Sequence, residues 1–228
     1  MSDLSLQYPE VLSLLHTHLA AGRTESRSFL AWFLETYYRL EQVEAQDAVC
    51  DGPDDKGVDG LYVDANLERV DVLQSKLFQN SSKTLGDSSL KEFWGTMEQF
   101  RHPASINAIA SSTSNAELRA LISETKVAEL VRDGYEVRGI FVTNAGADAN
   151  AQAFIDKTPN LILYDRAALQ AAYIATGPEI PVSAPFTFDI SGFDVIEYKT
   201  LDATAVFAPL LATDLVRLEG IENGSLFA

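Results

Sequence analysis

Asp55-Lys56-Gly57-Val58-Asp59-Gly60 and Val72-Leu73-Gln74-Ser75-Lys76 decide the fold, because they read as parts of the two strands of one hairpin. The polar-leaning linker Ala65-Asn66-Leu67-Glu68 separates a run from Val58 to Asp64 from a second run from Arg69 to Phe78. A symmetric loop centred between Asn66 and Leu67 pairs residues whose numbers sum to 133. That register sets Leu61 opposite Val72, Val63 opposite Val70 and Asp59 opposite Gln74, and the two-residue alternation of side chains puts Lys76 on the same face. One face is then apolar near the turn and ends in a carboxylate, an amide and an ammonium.

Such a trio suits metal-assisted chemistry on a phosphodiester. A carboxylate and an amide oxygen can hold Mg²⁺ while it keeps several waters, and a nearby ammonium can stabilise phosphorane charge or help deprotonate the attacking water. The alternative reading of the same residues is an exposed strand end with an ordinary Asp59–Lys76 salt bridge, and a single β-bulge would shift the register by one.

Gly57-Val58-Asp59-Gly60, followed fifteen positions after Asp59 by Gln74-Ser75-Lys76, resembles the PD-(D/E)XK nuclease signature in its Gln-x-Lys form, as in the Mrr-like restriction endonucleases. The longer string from Asp51 to Asp64 is similar to the amino-terminal part of the abortive-infection phage-resistance (AIPR) proteins, in which an aromatic-rich helix leads into an Asp-Gly…Asp-x-Gly-Ile/Val-Asp segment and then a Gln-x-Lys strand. The resemblance covers Phe29 to Tyr164, and Gly224-Ser225-Leu226-Phe227-Ala228 resembles the start of the element that opens the next region of that family, so the chain is expected to be an amino-terminal piece of a longer protein.

The resemblance implies an α/β, restriction-endonuclease-like mixed sheet flanked by helices, with a small carboxy-terminal appendage. It implies a Mg²⁺-dependent endonuclease, with Mn²⁺ as a substitute ion, acting in phage defence on foreign DNA or RNA, with DNA favoured over RNA. Asp59 would be the metal-binding Asp, Gln74 would stand in the usual Glu/Asp position beside the metal, and Lys76 would be the catalytic lysine. A homodimer follows by analogy, since such enzymes often pair to cut both strands. This sequence departs from the pattern in two places. Gln74 is neutral, and Phe29-Leu30 stands where relatives often carry Phe-Glu early in the first core helix. Glu35, Glu41 and Glu44 are the acids open to fill that role. These departures and the charge leave room for a nuclease-like module that does not cut and serves assembly or sensing in a defence protein.

At 228 residues, with 46% hydrophobic residues, the chain is long enough for one substantial domain with appendages or two small ones. It holds no apolar run of about 18 residues and no signal-peptide pattern, so neither spanning of a membrane nor secretion is expected. The single cysteine, Cys50, excludes an internal disulfide and a cysteine-based zinc cluster, and fits a reducing cytoplasm. The formal charge of −16 argues against tight phosphate-backbone binding. Lys76, Lys83, Lys91 and Arg101 nevertheless all lie between the Gln-x-Lys strand and the end of the helix that follows it, so that region is expected to be the less acidic one.

Pattern places helices at Tyr8–Ala21, Thr24–Val43, Ser88–Phe100, Leu118–Val131, Ala147–Lys157 and Arg166–Ala175, and buried strands at Val137–Thr143 and Leu161–Tyr164. A strand is expected near Asp47–Asp51. Gly177, Pro178, Pro181 and Pro185 mark a boundary between a core, residues 1–176, and an extension, residues 177–228, with short strands from Phe186 to Phe207 and a helix from Ala208 to Glu219. A rival Glu197-Tyr198-Lys199 has the more usual Glu-x-Lys letters but lacks a preceding Asp strand, and its plain reading is an ion pair at a sheet edge. His16 and His18 lie about 200° apart on a helix and cannot chelate one metal. His102 before Pro103 reads as a helix terminus, and Asn144 and Asp148 could line a crevice.

Overall fold

β1 (Gly60–Asp64) and β2 (Arg69–Lys76) form the antiparallel hairpin in the expected register, from Gly60 opposite Leu73 to Asp64 opposite Arg69. The computed structural model describes residues 4–20, 22–50, 52–174, 192–199, 204–209 and 211. Asp64 closes the turn, since its Oδ1 accepts hydrogen bonds from the amides of Asn66 and Leu67, both at 3.0 Å. β2 then pairs in parallel with β3 (Glu136–Thr143), and β3 in parallel with β4 (Leu161–Tyr164), giving a mixed sheet in the order β1-β2-β3-β4. With helices on both faces, the chain is an α/β protein.

Helix α2 (Glu25–Tyr37) covers one face. Thr24 Oγ1 caps it by accepting from the Arg27 amide at 3.2 Å, and every residue from Ser28 to Leu34 is buried. Phe29, Leu30, Phe33 and Leu34 pack on Leu73, Ile140 and Val142, with Leu6, Val11 and Leu15 from the amino-terminal segment and Leu169 of α9 (Arg166–Ala172) in the same layer. The opposite face carries α4 (Asp87–Phe100), whose Leu90, Phe93, Met97 and Phe100 meet Leu61, Val70, Val72, Val137 and Phe141. Helices α5 (Pro103–Ser112), α6 (Ala116–Thr125), α7 (Val127–Arg132) and α8 (Ala149–Ile155) complete that layer.

Several expected elements break where local chemistry intervenes. The helix expected over Thr24–Val43 is two, α2 and α3 (Gln42–Asp47), because Arg39 adopts φ 59° and Glu41 with Glu44 forms a reciprocal capping box that starts a new helix. Of the strand expected at Asp47–Asp51, the described residues 47–50 form one bridge, between Val49 and Gly60, since Asp47 still belongs to α3, and Asp51 lies outside the described residues. Gly60 is required there, as a Cβ would lie 2.6 Å from the Ala48 carbonyl oxygen. The amino-terminal helix divides into a 3₁₀ turn, Glu10–Ser13, and α1 (His16–Ala20). The helix expected at Leu118–Val131 parts into α6 and α7 at Lys126, and His102-Pro103 starts a helix, with Pro103 in its first turn.

Packing groups the described residues up to Tyr173 into one unit and those from Ile174 onward into another. In the second, β5 (Ile196–Lys199) and β6 (Thr204–Phe207) form an antiparallel hairpin with exposed strands. The Pro-marked boundary and the Gly224–Ala228 element lie outside the described residues. Of the helix expected at Ala208–Glu219, residues 208, 209 and 211 are not helical and the rest lie outside the described residues. No described helix is long and apolar enough to cross a membrane.

Candidate active site

The three residues singled out by the sequence sit at the end of the β1–β2 ladder distant from the turn, but Asp59 does not pair with Gln74 as a regular rung. The Asp59 amide donates to the Leu73 carbonyl at 2.8 Å, one position short of that rung. Its side chain takes over instead, and Oδ2 accepts from the Ser75 amide at 2.7 Å. This charge-assisted bond fixes the carboxylate against the stretch of β2 that carries Gln74 on one side and Lys76 on the other.

Gln74 and Lys76 both face α4. The Gln74 Nε2 lies 3.7 Å from the point a Cβ on Gly57 would occupy, and Thr96 Oγ1 lies 3.2 Å from that same point. Thr96 Oγ1 also donates to the Lys56 carbonyl at 3.1 Å, which pins the segment before Asp59 to the middle of α4. Lys76 Nζ donates to Ser89 Oγ at 3.0 Å in the first turn of α4 and lies 5.3 Å from the Phe78 ring centroid. Helix α4 therefore runs across the trio, with Ser89 at Lys76 and Thr96 at Gly57, about 10 Å apart along its axis. Glu92 falls three residues after Ser89 and four before Thr96, on the same flank, and is exposed. It is an acid on that flank that the sequence reading did not weigh. Its signal is the Ser89-x-x-Glu92-x-x-x-Thr96 spacing, which acquires meaning only once the flank of α4 that faces β2 is known.

The segment leading to Asp59 is held from a second side. Asp54 accepts from the Ser114 amide at 2.6 Å and the Ser114 hydroxyl at 2.9 Å, its carbonyl accepts from Thr113 Oγ1 at 2.6 Å, and Lys56 closes an ion pair with it. The Lys56 and Ser114 hydrogen bonds hold the Asp54 carboxyl well below the usual carboxylate range. Behind the segment, the buried Cys50 donates Sγ–H to the Val58 carbonyl at 3.1 Å. Burial, followed by the nearby Asp59 and Asp55 carboxylates, pushes this thiol far above its ordinary value.

The three acids weighed from sequence have other partners. Glu35 Oε1 lies 3.3 Å from Nε2 of the buried His18, while Glu41 and Glu44 serve the start of α3. The cations expected to relieve the acidic charge near the site are partly neutralised by their own helix, Lys91 by Asp87 at 2.6 Å and Arg101 by Glu98 at 3.2 Å. Glu197 and Lys199 of the rival motif pair with each other at 2.8 Å on an exposed strand. Asn144 is buried and structural, its Oδ1 accepting from the Phe78 amide and its Nδ2 donating to the Leu6 and Phe78 carbonyls, and Asp148 caps α8.

A second polar cluster, unforeseen from the sequence, lies on the α2 face of β2. Asp71 is 1% exposed and accepts from Arg138 Nε and Nη2, both at 2.9 Å, and from the Tyr38 hydroxyl at 2.7 Å. Arg69 Nε approaches the same carboxylate at 3.4 Å. Asp71 thus fixes strand β3 and the end of α2 to β2, a structural task separate from the trio on the other face.

Among the described residues, no group of three or more His, Cys, Asp or Glu side chains is placed to hold a metal ion. The donor set at the trio is one carboxylate and one amide. That set fits Mg²⁺, which keeps several waters and takes few protein ligands, and is too sparse for a closed structural metal. Comparisons of the chain with protein families, with characterised proteins and with solved structures returned no match.

Proposed function

We propose that this chain is a restriction-endonuclease-like, Mg²⁺-dependent nuclease domain that hydrolyses nucleic-acid phosphodiesters, with a role in phage defence and DNA as the expected substrate. The observation that carries the reading is the Asp59 carboxylate seated on the Ser75 amide, between Gln74 and Lys76, at the end of a mixed sheet. Asp59 and the Gln74 amide oxygen would hold the ion. Mg²⁺, once bound, supplies Lewis-acid polarisation of the phosphate and a more acidic attacking water. Lys76, presented by Ser89, provides positive charge for the phosphorane oxygens as the bond to the leaving oxygen breaks. Glu92, on the flank of α4 that crosses the trio, offers the second carboxylate that neutral Gln74 lacks.

The test is cleavage of plasmid and of single-stranded DNA and RNA with Mg²⁺, Mn²⁺ or EDTA, using the native chain, Asp59→Ala and Lys76→Ala. Metal-dependent cutting that falls about 100-fold or more in both variants is the expected result. Absence of cutting by the folded native chain at low salt with either metal would overturn it. The formal charge of −16 favours a second reading, a nuclease-like module that assembles or senses without cutting, and that outcome is what the same experiment would then support.

A further inference from the structure

We propose that the cleft between α5, α6 and α7 binds a small phosphorylated ligand carrying a diphosphate group, at a site independent of Asp59, Gln74 and Lys76. The cleft encloses about 730 Å³, within the range of small-molecule sites. Arg119 of α6, Lys126 between the helices and Arg132 of α7 line it, with Glu129 as the one acid on its wall. The wall therefore carries a formal surplus of two positive charges, in a chain whose 33 acids outnumber its 17 cations.

Among the described residues, Arg119, Lys126, Arg132 and Glu129 enter no ion pair. Arg119 is nonetheless positioned, because its Nη2 donates to the Thr113 carbonyl at 2.7 Å and leaves other guanidinium N–H groups to donate. Lys126 adopts φ 53° and ψ 32°, a left-handed conformation that glycine or asparagine takes with less strain. A lysine at this break places an ammonium on the cleft where an uncharged residue would suit the backbone better. Asn107 adds an amide and Ile122 an apolar surface to the lining, so a diphosphate on the cations can coexist with an organic moiety beside it. A surplus of two charges selects a ligand with at least two negative charges over a monoanion.

The experiment is titration calorimetry of the full chain at about 0.1 M salt with inorganic pyrophosphate, ADP and a single-stranded oligonucleotide. The variants are Lys126→Asn, Arg132→Gln, their combination, and Asp59→Ala. Saturable one-to-one binding of pyrophosphate or ADP is expected, weakened about tenfold or more by each lost cation and unchanged in Asp59→Ala. Tighter binding of ADP than of pyrophosphate would identify a nucleotide, and the reverse an inorganic or non-nucleotide diphosphate. Lys126→Asn keeps a residue tolerant of the left-handed conformation, so its thermal midpoint should match or exceed that of the native chain and separate lost binding from lost folding. Neither small ligand binding at about 1 mM, or binding that survives in the double variant, overturns the proposal. So does charge-dependent binding of the oligonucleotide alone, which would mark a backbone track.

Discussion

Removal of the Asp71 carboxylate is the most direct probe of how the sheet is held. Asp71 is 1% exposed and receives three short hydrogen bonds, two from Arg138 and one from Tyr38. Asp71→Ala deletes all three and leaves a guanidinium, 20% exposed, without its carboxylate. Breaking one partner of a buried pair costs about 3–5 kcal/mol, because the remaining charge stays desolvated. For a chain of this size each kcal/mol moves the thermal midpoint by roughly 2–4 °C, so a fall of about 6–20 °C is expected. Urea unfolding followed by circular dichroism gives the free energy directly, with an unchanged m-value showing that the unfolding transition itself is the same. The combination Asp71→Leu with Arg138→Leu should lose clearly less than the sum of the single changes, since it removes both charges together. A loss below about 1 kcal/mol in Asp71→Ala, the value of an exposed ion pair, would refute the claim that this carboxylate is desolvated and structurally engaged.

Other consequences are equally open to measurement. Burial, with Asp71 beside it, raises the Tyr38 hydroxyl well above its ordinary value. The neutral phenol is favoured in the folded state, so its contribution is whole below about pH 10 and fades as pH rises beyond it. Urea midpoints taken from pH 8 upward should therefore decline at the alkaline end, less steeply in Tyr38→Phe. Gly60→Ala should lose about 1–3 kcal/mol in the same assay, since its Cβ would meet the Ala48 carbonyl at 2.6 Å, and an unchanged midpoint would contradict that contact. Glu92→Gln should lower nucleic-acid cleavage about 10-fold or more while leaving the thermal midpoint within about 2 °C, as expected for an exposed helix residue. If it cuts like the native chain, Glu92 plays no part in the proposed reaction.

The hairpin was legible because alternating Leu61, Val63, Val70 and Val72 admit one register around the Ala65–Glu68 turn, and a one-residue slip of either strand would take its pair of these residues off the α4 face. The same alternation could not foresee Asp59, whose amide moves by one position so that its side chain can cap the ladder at Ser75. Asp71 escaped notice because its partners are remote in sequence, Arg138 lying 67 residues away and Tyr38 33. Leu40 and Val43 extend the apolar arc of α2 and hid the Glu41–Glu44 box that opens α3. At Lys126 neither glycine nor proline announces the break between α6 and α7. The trio was thus readable as residue types on one strand pair, while the flank of α4 that crosses it depends on tertiary packing that no local pattern encodes.

Cys50 has a use that follows from its solitude. It is the one thiol in the chain, it is buried, and its hydrogen bond to Val58 belongs to the segment that delivers Asp59. Reaction with a thiol reagent requires the thiolate and access to it, both of which the closed segment withholds. Alkylation should therefore proceed only through opening of the Val49–Gly60 bridge, at a rate set by the population of that opened form. The protein carries its own probe: labelling kinetics at this sulfur, followed by mass spectrometry, report how often the loop before β1 breathes, without any label being engineered into it.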